Sequence, residues 1–154
     1  MKYLILIISS LIVLPLVAQG HCGSCSAYAS PAPQKVAPAK EVIALGAARQ
    51  AQWISSDYYL VYEWNKKPKI GTHILKVKIF DRGKKQVNNL TLTADAFMPS
   101  MKGAHDTGDK AMKLNKKNEF AIPVYFMMLG DWEILLKIKQ GNKEIAQAAV
   151  RLKI

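Results

Sequence analysis

From residue 57 to residue 154, apolar side chains recur at every second position, in one short run after another with turn-forming residues between the runs. A period of two is that of a pleated strand whose successive side chains leave on opposite faces, so each run buries one face and wets the other. Tyr58, Leu60, Tyr62 and Trp64 share a face, and Lys66-Lys67-Pro68-Lys69 ends that run. Leu75, Val77 and Ile79 alternate with Lys76 and Lys78 as far as Asp81-Arg82-Gly83. Leu90, Leu92, Ala94 and Ala96 form the third run, and a short fourth around residues 110–114 carries Met112. Phe120, Ile122, Val124 and Phe126 share a face of the fifth, where Pro123 has no N–H for a ladder and demands an edge or a bulge. Trp132, Ile134, Leu136 and Ile138 follow, then Ala146, Ala148, Val150, Leu152 and Ile154 after the turn Gln140-Gly141-Asn142. About seven short strands of this kind predict an all-β fold, an antiparallel β-sandwich. Its core is expected to hold Trp64, Leu75, Val77, Leu92, Phe120, Ile122, Trp132, Ile134, Leu136 and Val150.

The chain ahead of the strands has another character. Met1 and Lys2 precede an apolar run over residues 3–18, broken only by Ser9 and Ser10, and Ala18-Gln19-Gly20 offers small residues for cleavage before His21. This is the form of a signal peptide, residues 1–20. An uncleaved membrane anchor is the alternative, but a span wants about 20 apolar residues and this run is shorter, with Pro15 near its end. Export to the periplasm or cell envelope is expected, and 154 less 20 leaves 134 residues, enough for one domain with a sizeable core. Without Lys2 there are 21 Lys+Arg against 11 Asp+Glu, a formal charge of +10. In an exported chain whose lysines alternate along strands or sit in turns, that charge argues for a solvated cationic surface. Weak attraction to anionic lipid or to an acidic partner is expected, and nucleic acid is not.

Residues 21–56 read as a cysteine-containing tail and linker. His21-Cys22-Gly23-Ser24-Cys25 holds both cysteines of the chain, which in an oxidising compartment either close a local disulfide or, with His21, clamp a soft metal ion. The histidine precedes the cysteines, opposite to a haem attachment motif, and no strand and helix flank them as in a thioredoxin site. Pro31, Pro33 and Pro38 among alanines and serines favour extended chain. Residues 41–53 suit a short helix or an irregular edge segment.

The third run leads directly into Phe97-Met98-Pro99-Ser100-Met101-Lys102-Gly103-Ala104-His105. On a continued strand Met98 and Met101 would face opposite ways. Pro99, however, pre-sets the second position of a four-residue turn, which brings the Cα atoms of Met98 and Met101 within about 7 Å. With His105 folding back beyond Gly103, two thioethers and an imidazole make a neutral, soft donor set suited to Cu(I). The plainer reading is that methionine fills irregular gaps in a core.

Ala96-Phe97-Met98-Pro99-Ser100-Met101, followed by an aromatic-rich strand and then Met128-Leu129-Gly130-Asp131-Trp132-Glu133-Ile134, resembles the YtkA-like (FixH-type) domain of exported and membrane-anchored bacterial proteins. The likeness covers roughly residues 57–154. It implies an immunoglobulin-like β-sandwich and an association with copper handling and with assembly of copper-containing respiratory oxidases. It also implies Met98, Met101, His105 and Met128 as metal ligands, with Trp132 in the second element. The chain departs from the family pattern in having Lys102 where a small residue is usual and a single histidine in the loop. Gly130-Asp131 reads as a turn that presents Met128 at one end of the sandwich with Trp132 plugging the core beneath it. Met112 and Met127 are further candidates for such a cluster, and His73, with the parity of Leu75, is expected to cap a strand end.

The expected function is therefore a non-catalytic Cu(I)-binding module of the cell envelope, handing copper to a partner such as a copper enzyme or transporter. The alternative is a metal-free interaction domain in which the methionines form an adaptable contact patch. No Ser/His/Asp set and no carboxylate pair can be brought together from this sequence, so an enzyme is not expected.

Overall fold

The alternating pattern closes into two facing sheets in the computed structural model, which describes residues 41–104 and 106–154. The expected signal peptide, the proline-rich stretch, and His21, Cys22 and Cys25 lie outside the described residues, as does His105. The first sheet has the order β1 (Val42–Leu45), β10 (Lys143–Lys153), β9 (Asp131–Gln140), β5 (Thr91–Phe97) and β6 (Lys110–Ala111). The second has the order β2 (Gln52–Trp53), β3 (Tyr58–Trp64), β4 (Gly71–Asp81), β8 (Phe120–Phe126) and β7 (Lys113–Leu114). All pairings are antiparallel except β1 with β10, which runs parallel.

The strand phasing is as expected. Nine of the ten expected core residues are buried, from Leu75, Val77, Ile134 and Leu136 at 0% to Ile122 at 6%, while Trp64 is half-buried against them. Lys76 and Lys78 face outward between the buried Leu75, Val77 and Ile79. Pro123 stands opposite Ile74, whose N–H and carbonyl are both taken by Asn65, so the proline nitrogen faces away from β4. On that other side β7 reaches only Ala121, so Pro123 sits at an open edge where a missing N–H costs no ladder bond.

The two flanks of the sandwich differ from the sequence reading. The segment 41–53 is neither helical nor irregular throughout: β1 joins the first sheet, the chain crosses over, and β2 joins the second. Strand pairing thus reaches back to Val42, ahead of residue 57, where the alternation begins. The crossing loop is held where the Tyr62 hydroxyl donates to the Gly46 carbonyl at 2.6 Å and the Arg49 N–H donates to the Tyr62 carbonyl at 2.8 Å. The single fourth strand expected around 110–114 is likewise two pieces, β6 in one sheet and β7 in the other, with buried Met112 between them. Each flank is therefore closed by a segment that pairs with one sheet, turns, and pairs with the other.

One buried charge is built into the second sheet. Glu119 is 3% exposed, accepts a hydrogen bond from the Asn115 side-chain amide at 2.9 Å and pairs with Lys78 at 2.9 Å. The Asn115 hydrogen bond and then Lys78 hold its carboxyl below the usual range, against the opposing effect of burial.

Candidate metal centre

Four connections, residues 46–51, 65–70, 98–109 and 127–130, meet at one end of the sandwich because the ladders say so. Phe97 at the end of β5 faces Glu133 near the start of β9, and Phe126 at the end of β8 faces Gly71 at the start of β4. Residues 127–130 bridge β8 to β9, and residues 65–70 join β3 to β4.

The turn expected at Pro99 is present as one turn of 3-10 helix, Pro99–Met101, entered from extended backbone at Met98. The Met101 N–H donates to the Met98 carbonyl at 2.9 Å, the i to i+3 bond that a turn over these four residues requires. Pro99 fits the first helical position because that N–H would have no partner anyway. The loop is then tied back to its own strand. The Thr107 N–H donates to the Ala96 carbonyl at 3.1 Å, and the Ala96 N–H donates to the Thr107 hydroxyl at 2.9 Å. Gly103 has φ of 90°, which any side chain would strain, and its N–H donates to Asp106 at 2.9 Å.

Met98 keeps the inward parity of Leu92, Ala94 and Ala96 and is only 5% exposed. Its ε-methyl lies against Gly130: a Cβ placed on that glycine would be 2.5 Å away. Gly130 itself has φ of 141° and exchanges two backbone hydrogen bonds with Ile154, at 2.9 and 3.2 Å. Beneath it Trp132, 1% exposed, donates its indole N–H to the Met128 carbonyl at 3.2 Å and meets Phe126 edge-on at 5.2 Å. Met101 and Met128 are half-buried against the same core. The loop of Met98 and the turn of Met128 therefore share one end of the fold, with the Met98 side chain bridging them.

The other methionines separate from this group. Met112 donates its N–H to the Leu92 carbonyl, so it lies at the level of Leu92, five residues down β5 from Phe97. Met127 is 41% exposed and alternates outward from Phe126. Lys102 sets its ammonium 4.9 Å over the ring of Phe97.

His73 is buried at 1%, deeper than a strand cap needs. Its Nε2 accepts from the Lys69 N–H at 3.2 Å, its ring lies 5.9 Å from Phe126, and its Nδ1 has no partner. A nitrogen that accepts is unprotonated, so in the neutral ring the hydrogen is on Nδ1. Ligation through Nδ1 would shift that hydrogen to Nε2 and take away the acceptor of Lys69, which sets His73 apart from the methionines as a donor. Its inward direction was legible from its parity with Leu75, but its unpaired nitrogen was not.

Among the described residues no group of three or more His, Cys, Asp or Glu side chains gathers in a way that could hold a metal ion. The soft donors at this end are thioethers, a neutral set that favours Cu(I) over harder ions. The family model described as YtkA-like matches residues 55–137. No curated protein and no solved structure gives a significant match.

Proposed function

We propose that this chain, which belongs to the YtkA-like family, is an exported, non-catalytic module that carries Cu(I) as cargo at the methionine end of its sandwich and passes it to a copper enzyme or transporter of the cell envelope. The observation that carries this reading is the bridge from Met98 to Gly130, which brings the loop of Met98 and Met101 to the turn of Met128. A thioether needs no deprotonation to bind metal and forms no disulfide in an oxidising compartment, although it can be oxidised to the sulfoxide. Met101 and Met128 keep part of their surface in solvent and would meet a cargo ion first, with Met98 behind them. His105, two residues after Gly103, is the imidazole expected to complete the set, and Cys22 and Cys25 with His21 form a second candidate set in the tail.

One observation favours the alternative. Met98 is as well buried as its neighbours on β5, as expected of a side chain that only fills the core of a metal-free interaction domain. Carbon-13 methyl spectra of the full chain during Cu(I) titration separate the two. Binding at this end shifts the ε-methyl signals of Met98, Met101 and Met128 and leaves those of Met112 and Met127 in place. Uptake that shifts none of the first three would assign the metal to the tail and the methionines to packing.

A further inference from the structure

Of the seven large hydrophobic side chains exposed among the described residues, four belong to the loop end just described: Leu129 at 69%, Tyr125 at 54%, Ile70 at 50% and Met127 at 41%. They are neighbours by register. Tyr125 faces Thr72 and Phe126 faces Gly71, so Met127 and Ile70 come one step past the last ladder pair, with Leu129 at the tip of the turn beyond. The remaining three, Val42, Trp53 and Leu114, are on edge strands.

The same end is rimmed by cations. Lys66, Lys67 and Lys69 occupy the 65–70 loop and Lys102 follows the 3-10 turn; all four are exposed, and none forms an ion pair among the described residues. On the sheet faces three lysines, Lys76, Lys78 and Lys137, each pair with a carboxylate. Three acidic residues border this end: Asp106, which accepts from the Gly103 N–H, Asp109, which pairs with Lys137, and exposed Asp131 at the start of β9, so against four lysines without an ion pair among the described residues the balance is positive. The opposite end carries lysines too, among them Lys84, Lys116, Lys117 and Lys143, but its turns hold no exposed large hydrophobic residue among those described.

We infer that this loop end docks on an anionic lipid surface, with Leu129, Met127 and Ile70 entering the headgroup region and Lys66, Lys67, Lys69 and Lys102 on the phosphates. Apolar side chains at the tips of adjoining loops, with lysines that form no ion pair among the described residues around them, suit a surface whose charge lies outside and whose hydrocarbon lies within. Lysine fits this role because its long stem lets the ammonium stay among the headgroups while the loop descends. Charge alone would not choose an end, since both ends are cationic; the exposed apolar tips do. Whether the methionines hold copper does not enter, so this orientation and the copper proposal fail independently.

Hydrogen exchange of the full chain, read peptide by peptide by mass spectrometry, tests the orientation even if residues before 41 also touch lipid. With vesicles of phosphatidylethanolamine and phosphatidylglycerol, residues 65–70, 98–102 and 127–130 should exchange more slowly than in buffer, while the turns at 82–89 and 140–143 should not change. Vesicles of phosphatidylcholine alone should give no such protection. Replacing Met127 and Leu129 together by Ser, both exposed, should remove it with the far-ultraviolet circular dichroism intact, and Lys66→Gln or Lys69→Gln should each weaken it about fivefold. Protection at both ends, at neither, or equally on neutral vesicles would overturn the inference. So would equal protection by soluble polyglutamate, which would mark the end as a contact for an acidic protein instead.

Discussion

The ε-methyl of Met98 rests on Gly130, a residue of another strand connection, so closely that a Cβ added there would stand 2.5 Å from it. Two conditions thus fall on one glycine: a φ of 141° that side chains rarely adopt, and space taken by a thioether from across the fold. Gly130→Ala should destabilise the domain by about 1–3 kcal/mol, measured by denaturant midpoint, and displace the Met98 methyl resonance. An alanine variant of parental stability would mean that the contact is not held.

Trp132 supports that contact from below. It is the largest side chain fully buried, and its indole fixes the Met128 carbonyl. Trp132→Ala should lose about 3–5 kcal/mol in equilibrium unfolding, enough to unfold many small domains, whereas Trp53→Ala on the exposed edge should lose far less. Equal losses at the two tryptophans would contradict the packing described.

His73 gives a prediction of the opposite sign. Its buried Nδ1 has no partner, and a buried donor left unpaired costs about 1–3 kcal/mol. Lys69, whose N–H is the partner of Nε2, is exposed and could turn to water. His73→Leu should therefore leave stability unchanged or raise it by about 1 kcal/mol in chemical denaturation. A loss beyond about 2 kcal/mol would show that the imidazole contributes more than its bond to Lys69.

Glu119 sets an acid limit. Its folded carboxyl is held below the ordinary value of 4.5 by Asn115 and Lys78, so the stability it contributes is present above that value and lost as pH falls through the lower folded one. Glu119→Gln should cost about 1–3 kcal/mol near neutral pH, and the gap to the parent should narrow below about pH 4.5. A gap that stays constant into acid would mean the charge is not what matters there.

How much could be read in advance follows from the range of the interactions. Alternation is local, so the inward faces of the long strands were legible, including Pro123 at an open edge. The flanks were not: β2, β6 and β7 are two residues each, too short to show a period, and the parallel seat of β1 depends on β10, a hundred residues on. At the candidate site the turn over Met98 to Met101 was legible because Pro99 dictates it. The meeting of Met98 with Gly130 was not, since it requires knowing that β5 and β9 pair with Phe97 opposite Glu133. Parity sent His73 inward, but no pattern announces an unpaired nitrogen.

The central claim is that the methionine end binds Cu(I). Competitive titration against a chromophoric Cu(I) chelator, with the full chain carrying His21→Ala, Cys22→Ser and Cys25→Ser, measures this end without the tail. Replacing Met98 and Met101 by Leu in that background keeps volume and apolarity, at a cost usually under about 1.5 kcal/mol, and removes two sulfurs. A methionine site predicts a folded protein whose Cu(I) affinity falls at least tenfold; an unchanged affinity would contradict it and leave those methionines as packing.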